Sequence, residues 1–150
     1  MRQTVQSVLE AKEVSDELID VDAGAMVWEA IETMVDRKVG AVIIRNEDGL
    51  VDGIFTERDV LLRVVYAGVD PKTTTLSAVM TRDVRFVTPG TTIEAALALM
   101  HVNRHRHMLV IDGPRVHGLL SMRDLTYHLI SHGEGRFEAA VRQARPADAA

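Results

Sequence analysis

Two short stretches of this 150-residue chain carry the same side chains in the same order. Gly53-Ile54-Phe55-Thr56-Glu57-Arg58-Asp59 returns 65 residues later as Gly118-Leu119-Leu120-Ser121-Met122-Arg123-Asp124. A hydroxyl followed three positions on by a carboxylate at a helix start has two uses. As a capping box, the hydroxyl accepts from the N3 amide and the N3 carboxylate reaches back to the cap amide. At a cleft edge, a carboxylate can instead accept both hydroxyls of a ribose, while the hydroxyl and the helix amides meet a phosphate. Spacing alone favours the cap and leaves ligand binding open. Arg58 and Arg123 stand in the first helical turn, where a cation works against the macrodipole. A nearby phosphate would account for both; a weak surface ion pair is the alternative.

The densest basic cluster is His101-Val102-Asn103-Arg104-His105-Arg106-His107. His101 and His105, four apart, would share a helix face, which is one way to start a metal site. No carboxylate within the cluster completes a ligand set, and no metal is expected. Arg106 and His107 enter the following strand, where the first copy has Gly40-Ala41. The surroundings of Asp124 are therefore expected to be cationic, and those of Asp59 small and apolar.

Composition narrows the chemistry further. The chain has no cysteine, which removes disulfides, zinc–thiolate centres, iron–sulfur clusters and thiol catalysis. Net charge is −5, so a broad nucleic-acid surface is not expected. Residues 1–75 hold 8 Lys/Arg against 15 Asp/Glu, residues 76–150 hold 9 against 7, and all six histidines fall in the second half. No apolar run approaches the ~20 residues of a membrane span. The N-terminus shows no signal-peptide core, so a cytoplasmic location is expected. Gly-x-Ser-x-Gly, Gly-x-x-x-x-Gly-Lys and Gly-x-Gly-x-x-Gly are all missing, and no enzyme is expected.

The elements that must position these side chains also repeat. Val21, Gly24, Ile31 and Met34 match Val87, Gly90, Leu97 and Met100 at an offset of 66, one more than the downstream block. The slip falls between Asn46-Glu47-Asp48-Gly49 and Asp112-Gly113-Pro114, both turn-forming. Each copy begins with a short extended piece, Leu18 to Val21 or Arg85 to Val87. A helix follows, with Met26, Val27, Ala30, Ile31, Met34 and Val35, or Ile93, Leu97 and Met100, on its apolar face. Thr92 is the expected cap of the second of these. Paired strands come next: Ala41 to Ile44 with Leu50 to Phe55, and Met108 to Ile111 with Val116 to Leu120. A closing helix carries Val60, Leu61, Val64 and Val65, or Leu125, Leu129 and Ile130. Trp28, beside the first apolar face, is expected in the core or a dimer interface.

The order β-α-β-β-α, written twice, with Gly-apolar-x-Thr/Ser-x-x-Asp at each strand-to-helix junction, resembles a tandem pair of CBS (cystathionine β-synthase) domains, or Bateman module. The likeness covers roughly residues 5–132, and Val5 to Leu9 and Leu76 to Met80 resemble the family's short lead-in helices. The resemblance implies an α/β (α+β) fold of two repeats packed as a pseudo-twofold intramolecular pair. Residues 1–75 would form the first repeat with its lead-in helix, 76–132 the second, and 133–150 a partly flexible extension in which Phe137 to Val141 add a helical turn. It further implies a regulatory module that binds an adenosine-containing ligand in clefts between the repeats, AMP, ADP or ATP foremost, with NAD(H) and S-adenosylmethionine as competitors. Thr56, Arg58 and Asp59, and Arg106, His107, Ser121, Arg123 and Asp124, are the implied contacts. AMP-sensing relatives place a basic pair at the position of Arg106-His107, so a phosphate-bearing ligand is expected near Asp124. A homodimer and an unidentified target protein are the implied partners; a ligand-free scaffold, with the boxes serving only as caps, is the alternative.

Overall fold

Apolar runs at the centre of each repeat become the middle strands of two small sheets. The computed structural model describes residues 3–12, 19–132 and 142–144. In the first sheet β1 (Asp20–Asp22) runs parallel to β2 (Ala41–Arg45), and β2 pairs antiparallel with β3 (Val51–Thr56). The second sheet repeats this order with β4 (Phe86–Val87), β5 (His107–Asp112) and β6 (Arg115–Ser121). Each antiparallel pair shifts register once, between Ile44 and Arg45 in one and between Val110 and Ile111 in the other. Ala41 to Ile44 are buried in succession, as a central strand covered on both faces must be.

Helices among the described residues include α1 (Val5–Ala11), α2 (Val27–Arg37), α3 (Glu57–Asp59), α4 (Leu76–Val79), α5 (Ile93–Asn103) and α6 (Met122–Ser131). Helix α3 passes directly into a π-helical stretch, Val60–Val65. The long helices α2 and α5 end alike, on Lys38 and Arg104 in the left-handed region at φ 54° and 55°. Val39 and His105 then donate to the carbonyls of Met34 and Met100 at 3.1 and 3.0 Å, satisfying groups that would otherwise be orphaned. Thr92 caps α5 by accepting from the Ala95 amide at 3.2 Å.

Packing divides the chain into two units that interleave along the sequence. Among the described residues, one unit comprises 19–85 and the other combines 3–12 with those from 86 onward. Each lead-in helix thus packs on the repeat it does not precede, so the packing division differs from a sequence division between residues 75 and 76. Val5 and Val8 of α1 are buried with Ile93, Met100, Val110, Leu120 and Leu125. Leu76 and Val79 of α4 are buried with Val27, Met34, Val42, Phe55 and Val64. The docking bonds correspond too. Val5 donates to Thr91 at 2.9 Å and Ile93 to Gln3 at 3.1 Å; Leu76 donates to Ala25 and Val27 to Thr74, both at 2.9 Å.

This docking explains the repeated glycine. A Cβ on Gly53 would collide with the Thr81 carbonyl, and one on Gly118 would stand 2.8 Å from Leu9 Cδ2. Both glycines let a lead-in segment lie directly on the last strand of the sheet.

Several apolar positions differ from the sequence expectation. Met26 precedes α2 as its N-cap, and Val35 is exposed because Val27, Ala30 and Met34 already fill the buried stripe. Of the π-helical stretch only Val64 is buried, with Leu61 and Val65 in solvent, since the wider turn rotates them off the core. Leu129 and Ile130 of α6 are exposed as well. Trp28 lies outside the core: its Nε1 donates to Glu32 Oε1 at 2.8 Å, and Lys72 Nζ sits 5.0 Å from the ring centre. Phe137 to Val141 lie outside the described residues. No helix among the described residues is long and apolar enough to cross a membrane.

Candidate functional site

The two strand-to-helix junctions form as local units for the same reason. Thr56 leaves β3 extended, at φ −120° and ψ 166°, and its hydroxyl accepts from the Asp59 amide at 3.2 Å. Asp59 Oδ2 closes the box on the Thr56 amide at 3.0 Å. Ser121 does likewise at the end of β6: its Oγ accepts from the Asp124 amide at 3.0 Å, and Asp124 Oδ2 accepts from the Ser121 amide at 2.8 Å. Both capping boxes are therefore present.

The strand register fixes what lies beside each box. Ala41 pairs with Thr56, and the Gly40 carbonyl accepts from Glu57 at 3.0 Å. His107 pairs with Ser121, and the Arg106 carbonyl accepts from Met122 at 2.8 Å. Gly40-Ala41 and Arg106-His107 thus occupy the same place in their respective units. Strand register thus sets the backbone of Arg106 and His107 beside Ser121 and Met122, next in sequence to Arg123 and Asp124, and the first junction has no basic pair at that place. Arg58, Arg106 and Arg123 are exposed, while His107 is half-buried.

The carboxylates meet different surroundings. Asp59 has a side chain only 8% exposed. Its Oδ2 also takes the Thr56 hydroxyl at 3.2 Å, and its Oδ1 takes the Thr81 hydroxyl at 2.9 Å, with Arg63 Nε 3.5 Å away. Arg63 is itself held, Nη1 donating to the Met80 carbonyl at 2.9 Å. Asp124 is 27% exposed, and Lys12 Nζ lies 3.2 Å from its Oδ2. Lys12 Nζ also reaches the Leu119 carbonyl at 3.4 Å. Asp59 is enclosed, whereas Asp124 remains reachable.

Sequence reasoning missed Arg63, Thr81 and Lys12. Arg63 carried a signal, since it stands one helical turn after Asp59, where an ion pair is geometrically natural. Thr81 and Lys12 carried none, because they arrive on lead-in segments whose docking partner is remote in sequence.

The position of Arg63 in the second unit is held by His128, 65 residues on. His128 is buried, and its ring centre lies 4.1 Å from that of His132. Burial first, and the neighbouring His132 second, hold its pKa below the ordinary 6.5. His101 and His105 do not share a helix face: α5 ends at Asn103, and the left-handed turn at Arg104 places His105 beyond it. Among the described residues no group of three or more His, Asp or Glu is arranged to hold a metal ion.

A family model described as "CBS domain" matches residues 11–66 and again 76–131. The Arabidopsis thaliana "CBS domain-containing protein CBSCBSPB2" is 34% identical over 125 residues, covering 83% of this chain and 23% of its own length. The chain thus spans about a quarter of the length of the first curated relatives it matches. "Hypoxic response protein 1" of Mycobacterium tuberculosis is 28% identical over 112 residues, 75% of this chain and 78% of that protein. A solved structure of a protein with CBS domains from Burkholderia ambifaria superposes with a TM-score of 0.83 at 32% identity, over 88% of this chain and 97% of that one.

Proposed function

The chain belongs to the CBS-domain family, and from that premise we propose that it is a non-catalytic sensor whose signal is an adenosine-containing ligand, an adenine nucleotide foremost. The observation that carries this reading is the second junction. Asp124 is partly open to solvent and stands beside Ser121 and the Arg106-His107 pair, with Arg123 exposed next to it. A carboxylate so placed can accept the hydroxyls of a ribose, and the cations around it suit a phosphate. Occupancy alters a partner's activity only in so far as the ligand prefers one conformation of the protein over another.

The first junction favours a different use of the same motif. Asp59 is enclosed and accepts from Thr56 and Thr81, which suits a structural cap. Ligand is therefore assigned to Asp124 ahead of Asp59. Self-association into a homodimer is the companion proposal. Leu61, Leu62 and Val65 of the π-helical stretch with Tyr66 just after it in one unit, and Tyr127 and Ile130 of α6 in the other, expose apolar surface.

A thermal-shift series with AMP, ADP, ATP, NAD(H), S-adenosylmethionine and zinc tests the reading. A ligand at 100 times its Kd adds about 2.7 kcal/mol of stability, a clear rise in Tm. The sensor reading expects such a rise with an adenine nucleotide, and its loss in Asp124→Ala. No rise with any adenosine compound would leave the scaffold reading in its place.

A further inference from the structure

Lys12 brings a cation to the second junction where Thr81, after the other lead-in helix, brings a hydroxyl to the first. It follows α1, the lead-in of the first repeat, yet its ammonium lies at the second junction, 3.2 Å from Asp124 Oδ2 and 3.4 Å from the Leu119 carbonyl. The docking of α1 sets this position. Val5 and Val8 are buried, Leu9 rests against Gly118, and the amides of Val5 and Gln6 donate to Thr91 and Pro89 at 2.9 and 3.2 Å. The lysine stem thus leaves a firmly seated helix, with its side chain 25% exposed.

Resting on the sensor reading above, we infer that Lys12 is a specificity-determining residue of the second junction, selecting adenosine ligands that carry a phosphate over those that do not. An ammonium has three donors; Asp124 and Leu119 take two, which leaves one for a ligand oxygen. Lys12 neutralises Asp124 without removing its capacity to accept hydroxyls, because a carboxylate has about four acceptor sites. With that charge cancelled, Arg106 and Arg123 give the surroundings an excess of positive charge. The first junction has no such excess: Arg63 cancels Asp59, and Glu57 stands beside Arg58. A phosphate gains at the second junction; an uncharged adenosine gains nothing from Lys12, and the cationic sulfonium of S-adenosylmethionine is disfavoured.

Calorimetric titration of AMP and of adenosine into wild type, Lys12→Met and Lys12→Arg tests this. AMP is expected to weaken about tenfold in Lys12→Met, the loss of one charged hydrogen bond, while adenosine changes less than about twofold. Lys12→Arg keeps most of the preference for AMP. Should Lys12→Met not fold, Lys12→Gln, which keeps a donor but no charge, carries the same comparison. Equal weakening of AMP and adenosine would overturn the inference and make the ion pair a purely structural contact. Unchanged AMP binding would overturn it too, leaving the sensor reading intact. A wild-type protein that binds neither compound overturns both.

Discussion

The two junctions close the same capping box with the same spacing, yet one seals its carboxylate and the other leaves it within reach. Around Asp59 the flanking residues are Gly40 and Ala41, and the enclosing donors are the Thr81 hydroxyl and the Arg63 guanidinium. Around Asp124 the flanking residues are Arg106 and His107, and the added donor is the flexible ammonium of Lys12. Duplication supplied one motif twice. What separates a cap from a reachable carboxylate is the neighbouring strand start, the lead-in segment and the residue one turn later.

The sharpest way to break this contrast is to remove each carboxylate in turn. Asp59→Ala is expected to cost about 3 kcal/mol, because Arg63 and Thr81 lose a buried partner together with the cap. Asp124→Ala is expected to cost about 1 kcal/mol, the loss of the N3 half of a capping box and of a partly exposed ion pair. Urea unfolding of both variants reads the difference directly. Equal costs would mean that the burial difference has no energetic weight.

The lead-in docking separates the units in a second way. The Thr81 carbonyl over Gly53 is backbone and cannot step aside, whereas the Leu9 methyl over Gly118 ends a side chain that can turn. Gly53→Ala is therefore expected to destabilise by about 2 kcal/mol, and Gly118→Ala by about 1 kcal/mol or less. Thermal unfolding of the pair ranks them; the reverse order would contradict the docking described here.

The smallest effect concerns the residue after each carboxylate by one turn. Burial and His132 hold His128 below 6.5, so the folded chain resists its protonation. Its contribution to stability is complete above the ordinary value and is lost as pH falls through the lowered one. Tm is expected to fall as pH drops below the ordinary 6.5, and to fall less in His128→Gln. An unchanged pH slope in that variant would assign the titration to another group.

Much of this was legible in the residues themselves. The repeated Gly-apolar-x-Thr/Ser-x-x-Asp fixed both junctions, Thr92 announced its cap, and the strand pairs were found to within one or two residues because apolar runs and turn residues alternate cleanly. The alignment of Gly40-Ala41 with Arg106-His107 was also readable, since it depends only on counting back along a strand. The exchange of lead-in helices was not readable. Lead-in and docking partner are far apart in sequence, and the apolar residues of α1 would suit either sheet. Thr81 and Lys12 escaped with it. The left-handed turn at Arg104 was equally hidden, because that conformation usually announces itself with glycine.

We propose that the second junction receives the ligand ahead of the first. Calorimetric titration of AMP into wild type, Asp124→Ala and Asp59→Asn decides between them; Asp59→Asn keeps the side-chain size and one of the two acceptor oxygens. One AMP per chain is expected in wild type and Asp59→Asn, with binding abolished in Asp124→Ala. Binding that survives in Asp124→Ala and disappears in Asp59→Asn would contradict it.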